Sequence, residues 1–156
     1  MISRRTFLGR AAALTAVGLV SRDLAAFAEV LPPDAPLVTV YKSSSCTCCA
    51  KWVEHMQASG FKTVVHDREE MDEVKQWLGV PANVRSCHTA QVDKYIIEGH
   101  VPAEDVRRLL KEKPKVAGLA IPGMPQSAPG MDLKPHQPYE VVAFQSSGTT
   151  QSFAKH

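Results

Sequence analysis

The stretch LVTVYKSSSCTCCAKWV, residues 37–53, decides the fold. It opens with a β-branched apolar run, Leu37 to Tyr41, which is typical of a buried strand. Three serines follow and offer an N-cap for a helix over about 46–59. The apolar residues of this segment recur at helical spacing, at Cys49, Trp52, Val53 and Met56. The sequence therefore predicts a strand that leads into a helix, with three cysteines at the helix start.

The segments that follow extend this pattern. A strand is predicted over 61–66, and Asp67 with Glu70 resembles a capping box that opens a second helix. Strand patterns over 88–92 and 95–98 flank a tight turn, and a third helix begins near Pro102. A βαβ unit followed by a hairpin and a helix is the order of the thioredoxin fold. We therefore predict an α/β protein with a thioredoxin-like mixed sheet flanked by helices.

The C-terminal third has a different composition. Residues 114–138 contain six prolines and three glycines, which predicts a long loop of the kind that acts as a lid or binding loop. A Pro-Gly-Met turn occurs twice in this loop, ending at Met124 and at Met131. Strand patterns over 140–144 and 149–153 then predict a closing hairpin.

The first 28 residues resemble a twin-arginine export signal. Ser3–Leu8 carries an arginine pair followed by Phe and Leu, and Ala26–Ala28 has small residues where a signal peptidase reads. We predict a signal peptide over 1–28, a periplasmic location and one metal-binding domain over 29–156. The apolar run of the signal is about half of the roughly 20 residues that a membrane span needs. No later segment is apolar enough to cross a membrane, so the mature form is not expected to be membrane-embedded.

The charge distribution excludes nucleic-acid binding. The chain carries a formal net charge of +2. Four arginines against one aspartate give residues 1–28 a charge of +3, which leaves −1 for the remainder. A near-neutral body has no broad basic field with which to hold a nucleic acid.

Four cysteines carry the chemistry, at 46, 48, 49 and 87. The start of a helix favours the thiolate form through the helix dipole and unpaired N–H groups. Three interpretations follow: structural disulfides, a thioredoxin-type redox pair of Cys46 and Cys49, or a metal site for Cu(I), zinc or an iron–sulfur cluster. A c-type haem is excluded because Ala50, and not histidine, follows Cys49.

Cys87 favours the metal site. In a thioredoxin-like fold, the segment that enters the third strand passes beside the start of the first helix, so Cys87 joins the other three sulfurs. Four converging thiolates exceed what a dithiol redox site requires. Met124 and Met131 either fill hydrophobic gaps or add soft ligands, which suit Cu(I) and not zinc. Strand alternation would turn His88 away from Cys87, and a structural role is expected for His100.

Four motifs in order resemble the CopG-type family, exported bacterial proteins long described as a domain of unknown function. They are Cys46-Thr47-Cys48-Cys49, Ser86-Cys87-His88-Thr89-Ala90, Glu98-Gly99-His100-Val101-Pro102 and Gly118-Leu119-Ala120-Ile121-Pro122-Gly123-Met124-Pro125. The resemblance implies a thioredoxin-like fold, Cu(I) binding at the clustered cysteines and a role in periplasmic copper resistance. For some members it also implies copper redox chemistry.

The function predicted from these observations is that of an exported protein holding more than one Cu(I). The ligands would be the thiolates of Cys46, Cys48, Cys49 and Cys87, with bridging sulfurs forming a multinuclear cluster. Copper-delivery or efflux proteins are the expected partners. Two alternatives remain: a thiol or copper oxidoreductase of thioredoxin-like type, which would make the protein an enzyme, and a structural zinc site.

Overall fold

Seven strands and three α-helices make up the part of the chain that the computed structural model describes, residues 34–131 and 133–156. The signal peptide predicted over 1–28 lies outside the described residues. A short 3-10 turn at Ala82–Val84 precedes the third strand. The elements in chain order are β1 (Leu37–Lys42), α1 (Thr47–Ala58), β2 (Lys62–Asp67), α2 (Met71–Trp77), β3 (Thr89–Val92), β4 (Tyr95–Glu98), α3 (Ala103–Glu112), β5 (Gly118–Ala120), β6 (Glu140–Phe144) and β7 (Thr150–Lys155).

The strands form one mixed sheet in the order β2-β1-β3-β4-β5-β6-β7. β1 runs parallel to β2, and β4 runs parallel to β5, whereas the other neighbours are antiparallel. The predicted α/β class, the order of the first seven elements and the C-terminal hairpin are confirmed. Because β3 is antiparallel to β1 and lies next to it, the start of β3 and the end of β1 lie side by side at the same end of these strands.

β5 is a departure from the prediction, because it lies within the stretch that the composition assigns to a loop. A strand of three residues is too short to show an alternating pattern. Gly118 is required here, since a Cβ at this position would lie 1.8 Å from the carbonyl oxygen of Ile96 in the neighbouring strand. β5 links the first four strands to the C-terminal hairpin, so all seven strands share one sheet.

The predicted apolar face of α1 is buried against the sheet. Trp52 and Met56 are fully buried and pack into the main core with β1, β3 and β4. The indole N–H of Trp52 donates a hydrogen bond to the carbonyl oxygen of Val101 at 2.9 Å. These contacts fix the start of α1, and its cysteines, relative to the β3–β4 hairpin and the segment that follows it. Within the described residues, no helix has both the length and the apolar character of a membrane span.

Candidate metal centre

Three of the four cysteines lie at the start of α1. Cys46 caps the helix, because its Sγ accepts a hydrogen bond from the backbone N–H of Cys49 at 3.3 Å. Cys46 and Cys49 are also joined by a disulfide. Cys48 is not part of that bond, and its Sγ lies 3.5 Å from Sγ of Cys46. Three sulfurs therefore share one helical turn, as the spacing predicted.

Cys87 brings the fourth sulfur to this turn. It lies two residues before β3, whose first residue, Thr89, pairs with Tyr41 near the end of β1. The chain leaves β1 toward α1 at the same edge of the sheet. Each of the four sulfurs consequently lies within 4.8 Å of the other three. The structure thus brings together all four residues proposed as ligands, Cys46, Cys48, Cys49 and Cys87.

His100 also contacts Cys87, although its position in the sequence predicts only a structural role. Its Nε2 lies 3.0 Å from Sγ of Cys87, and its Nδ1 lies 2.7 Å from the carbonyl oxygen of Pro129. A carbonyl only accepts hydrogen bonds, so Nδ1 carries a proton. In the neutral ring, Nε2 then presents its lone pair to Cys87. A backbone carbonyl that fixes the tautomer in this way is typical of metal-binding histidines.

His88 lies close to Cys87 as well. The expectation that strand alternation turns it away is wrong, because β3 begins at Thr89 and His88 precedes it. Its Nδ1 lies 3.4 Å from Sγ of Cys87. The side chain is fully buried, and its Nε2 has no hydrogen-bond partner among the described residues. A second group of donor atoms within 4.8 Å of one another is therefore formed by Cys49, Cys87, His88 and His100.

Burial controls the protonation of this group. Burial, followed by the neighbouring His100, lowers the pKa of His88 well below its usual range, so the ring is neutral and able to bind a metal. Burial, followed by the charge of Cys48, raises the pKa of Cys87 to about 11. At neutral pH the metal-free Cys87 is therefore a thiol, and a metal ion must displace its proton on binding.

A buried ion pair anchors the segment that carries Cys87 and His88. Glu98, at the end of β4, is fully buried and accepts hydrogen bonds from the Ser86 backbone N–H at 2.6 Å and the Thr89 hydroxyl at 2.7 Å. Lys75 of α2 donates to the same carboxylate and to the Thr89 hydroxyl. One carboxylate therefore holds both ends of the segment 86–89.

The second Pro-Gly-Met turn covers the cysteines. Gly130 has a φ of +85°, and a Cβ at this position would lie 2.8 Å from the carbonyl oxygen of Cys48 and 2.9 Å from the backbone nitrogen of Trp52. Glycine is thus needed for the close approach of this turn to α1. Met131, which ends the turn, packs against the main core, whereas Met124 of the first turn is 51% exposed.

Two solved structures resemble this chain over most of its length. They are described as "Copper resistance protein copG- Form 2" and "Copper resistance protein copG- Form 1", and each is 38% identical in sequence to this chain. The matches cover 79% of this chain and 99% and 98% of the two structures, with TM-scores of 0.74 and 0.73. The chain belongs to the CopG copper-resistance family.

The resemblance to CopG inferred from the four motifs is thus confirmed. A family described as "Protein of unknown function, DUF411" matches residues 84–131. No curated protein sequence matches the chain. The matched range holds Cys87, His88, His100 and Gly130, whereas the cysteine triplet lies outside it. The copper-resistance relatives, together with the cysteine-rich cluster, point to copper binding.

Proposed function

We propose that this CopG-family chain binds Cu(I) through Cys46, Cys48, Cys49 and Cys87, and that it serves copper resistance or homeostasis. The observation that carries the proposal is that all four sulfurs lie within 4.8 Å of one another. Clustered thiolates select soft ions, among which Cu(I) binds sulfur in preference to nitrogen or oxygen. The copper-resistance relatives support this choice of ion over other soft metals.

The overlap of the two donor groups supports more than one copper ion. The all-sulfur group and the mixed group share Cys49 and Cys87. A thiolate can bridge two soft cations, so the shared cysteines would bridge two neighbouring metal positions. In the metal position formed by Cys49, Cys87, His88 and His100, the two histidines would supply neutral imidazole nitrogens. Their burial excludes water, and the Pro129 carbonyl holds His100 with Nε2 toward Cys87.

The disulfide between Cys46 and Cys49 makes copper binding dependent on reduction. It uses two of the four sulfurs, so the complete site forms only in the reduced protein. Oxidised protein retains Cys48 and Cys87 as thiol donors. We therefore expect the oxidised form to bind fewer copper ions, and to bind them more weakly, than the reduced form.

A Cu(I) titration of reduced wild-type and Cys87→Ser protein against a competing chelator tests the proposal. Serine keeps the size of the side chain but offers only a hard hydroxyl. The expected result is a lower stoichiometry or affinity for Cys87→Ser with an unchanged far-UV circular dichroism spectrum. His136→Asn, which removes an exposed histidine, is the matched control and should bind as wild type. Wild-type binding by Cys87→Ser would place Cys87 outside the site.

The second candidate function is a thiol or copper oxidoreductase. It is favoured by the disulfide, because Cys46 and Cys49 form a CxxC pair at a helix start, as in a thioredoxin-type redox site. In the copper reaction, the two thiols would form the disulfide and release two protons, and two Cu(II) would be reduced to two Cu(I). Single-turnover mixing of reduced protein with Cu(II) should then yield two Cu(I) for each disulfide. Cys49→Ser should abolish this reaction.

The mixed donor group keeps a structural zinc site as a testable alternative. Two cysteines and two histidines are also a frequent zinc ligand set. Metal analysis of protein isolated from copper-fed cells distinguishes the two ions. Zinc alone, with no Cu(I) uptake after reduction, would replace copper binding by a structural zinc site.

We also propose export to the periplasm through the segment 1–28, where copper-delivery or efflux proteins would be the partners. The mature chain would be a single domain over 29–156. The strand order β2-β1-β3-β4, with α1 between the two parallel strands β1 and β2, supports the thioredoxin-like interpretation of this domain.

A further inference from the structure

The first Pro-Gly-Met turn is tied to the residue that precedes Cys87. The Ser86 hydroxyl donates a hydrogen bond to the carbonyl oxygen of Gly123 at 3.0 Å. The Ser86 side chain is itself packed against Gly99, where a Cβ would lie 2.6 Å from its Oγ. Met124 directly follows Gly123. A hydrogen bond therefore holds the turn that carries Met124 beside the segment that carries Cys87.

Met124 and Cys87 line the same surface cavity, which has a volume of about 350 Å³. Met124 is half-exposed and Cys87 is half-buried, so the cavity connects solvent with one sulfur of the proposed copper site. Cys46 and Cys48 are partly exposed as well, whereas the remaining donors are closed off from solvent. Cys49, His88 and His100 are buried, and Gly130 lies against the backbone of α1.

The two methionines of the repeat have different surroundings. Met131 is partly buried and packs against the main core, which is the ordinary packing role of methionine. Half of the surface of Met124 is exposed to solvent, and Met124 lines the same cavity as Cys87. Packing therefore accounts for Met131 but does not account for the position of Met124.

We propose that Met124 and Cys87 form an uptake site, through which Cu(I) carried by a soft-donor ligand passes to the buried cluster. The inference rests on the proposed function of Cu(I) binding. A thioether is a soft, uncharged ligand, so it can hold Cu(I) during the exchange without competing with the thiolates for the final position. The step changes no oxidation state: the donor's copper bond breaks, a bond to sulfur forms, the Cys87 thiol releases its proton to solvent, and the ion remains Cu(I). Met124 therefore affects the rate of loading more than the final affinity.

Stopped-flow mixing of reduced protein with the Cu(I) complex of bathocuproine disulfonate tests this assignment. Met124→Leu keeps the size and apolar character of the side chain but removes the sulfur. It should slow copper transfer by about tenfold, which corresponds to a barrier higher by about 1.4 kcal/mol. The equilibrium partition between protein and chelator should stay at the wild-type value. Met131→Leu is the matched control and should change neither quantity.

The possible results separate this inference from the proposed function. A wild-type transfer rate for Met124→Leu, with normal loading, overturns the uptake site and leaves Cu(I) binding intact. A loss of equilibrium affinity without slower transfer also overturns it, because Met124 would then be a ligand of the final site. Equal slowing by Met131→Leu would mean that packing of the loop, and not the exposed thioether, controls transfer. Absence of copper uptake by the wild-type protein overturns both proposals.

Discussion

Lys75→Met is expected to destabilise the protein strongly, because it leaves a buried carboxylate without its counter-charge. Lys75 and Glu98 are both buried, and their charges are paired directly. Removing one partner of a buried ion pair lowers the free energy of unfolding by about 3–5 kcal/mol. Methionine fills the space of the aliphatic part of the lysine side chain, so the loss should come mainly from the uncompensated charge of Glu98.

The loss should depend on pH in a defined direction. Burial raises the pKa of Glu98, and Lys75 opposes this rise. Without Lys75 the pKa rises further, so the folded protein binds a proton that the unfolded chain has released. The free energy of unfolding then decreases as the pH rises through the window between the unfolded and folded pKa values of Glu98. The destabilisation by Lys75→Met should therefore be larger at about pH 8 than at about pH 5.

Urea unfolding of the reduced, metal-free protein at these two pH values provides the assay. Asp72→Asn is the matched control, because it removes a 3.4 Å pair with Arg85 in which the Asp72 side chain is 90% exposed. That change should alter the free energy of unfolding by less than about 1 kcal/mol. A Lys75→Met value as small as the control, or a large loss that is independent of pH, would refute the reasoning.

Gly130→Ala should weaken Cu(I) binding and lower the free energy of unfolding by about 1–3 kcal/mol, since its Cβ would lie 2.8 Å from the Cys48 carbonyl oxygen; chelator competition and urea unfolding measure the two effects. The apparent Cu(I) affinity should increase with pH through the neutral range, because burial raises the pKa of Cys87 to about 11 and its proton must leave on binding. Titrations at several pH values check this, and a flat profile would contradict it. Changing Arg4 and Arg5 together to Lys should leave the precursor in the cytoplasm, as cell fractionation would show; normal export would make the pair incidental.

The elements that could be predicted are those whose signals are local. β1 and α1 have long patterns and a clear boundary at the serines, and the structure places them within one residue of the prediction. The capping box predicted at Asp67 is wrong. α2 begins at Met71 without a side-chain cap, and Asp67 instead pairs with Lys42 at 2.7 Å. These two residues are far apart in the chain, so only the parallel register of β1 and β2 brings them together.

Some residues of the candidate site have a local sequence signal, and others are placed only by contacts between distant parts of the chain. The cysteine triplet is a local motif and was found directly, whereas Cys87 was placed only by assuming a fold. His100 could have been found by counting from the predicted turn at Asp93-Lys94. Val92 is paired with Tyr95, and moving one residue back along β3 and one residue forward along β4 gives each next pair up to Thr89–Glu98. Continuing the same count by two residues brings Cys87 next to His100, and the two side chains are in contact. His88 could not be placed by counting, since its direction depends on where β3 begins.

This shared register couples the site to the core. The pairing of β3 with β4 ends at Thr89–Glu98, with Cys87 two residues before Thr89 and His100 two residues after Glu98. The pairs Ala90–Ile97 and Val92–Tyr95 within it are buried. A slip of one residue would move these side chains to the other face of the hairpin, so the apolar core resists it. The Glu98 carboxylate adds a second restraint on the same segment. The contact between Cys87 and His100 lies directly beyond the paired strands, so the folding of the hairpin would assemble this half of the proposed copper site before an ion binds.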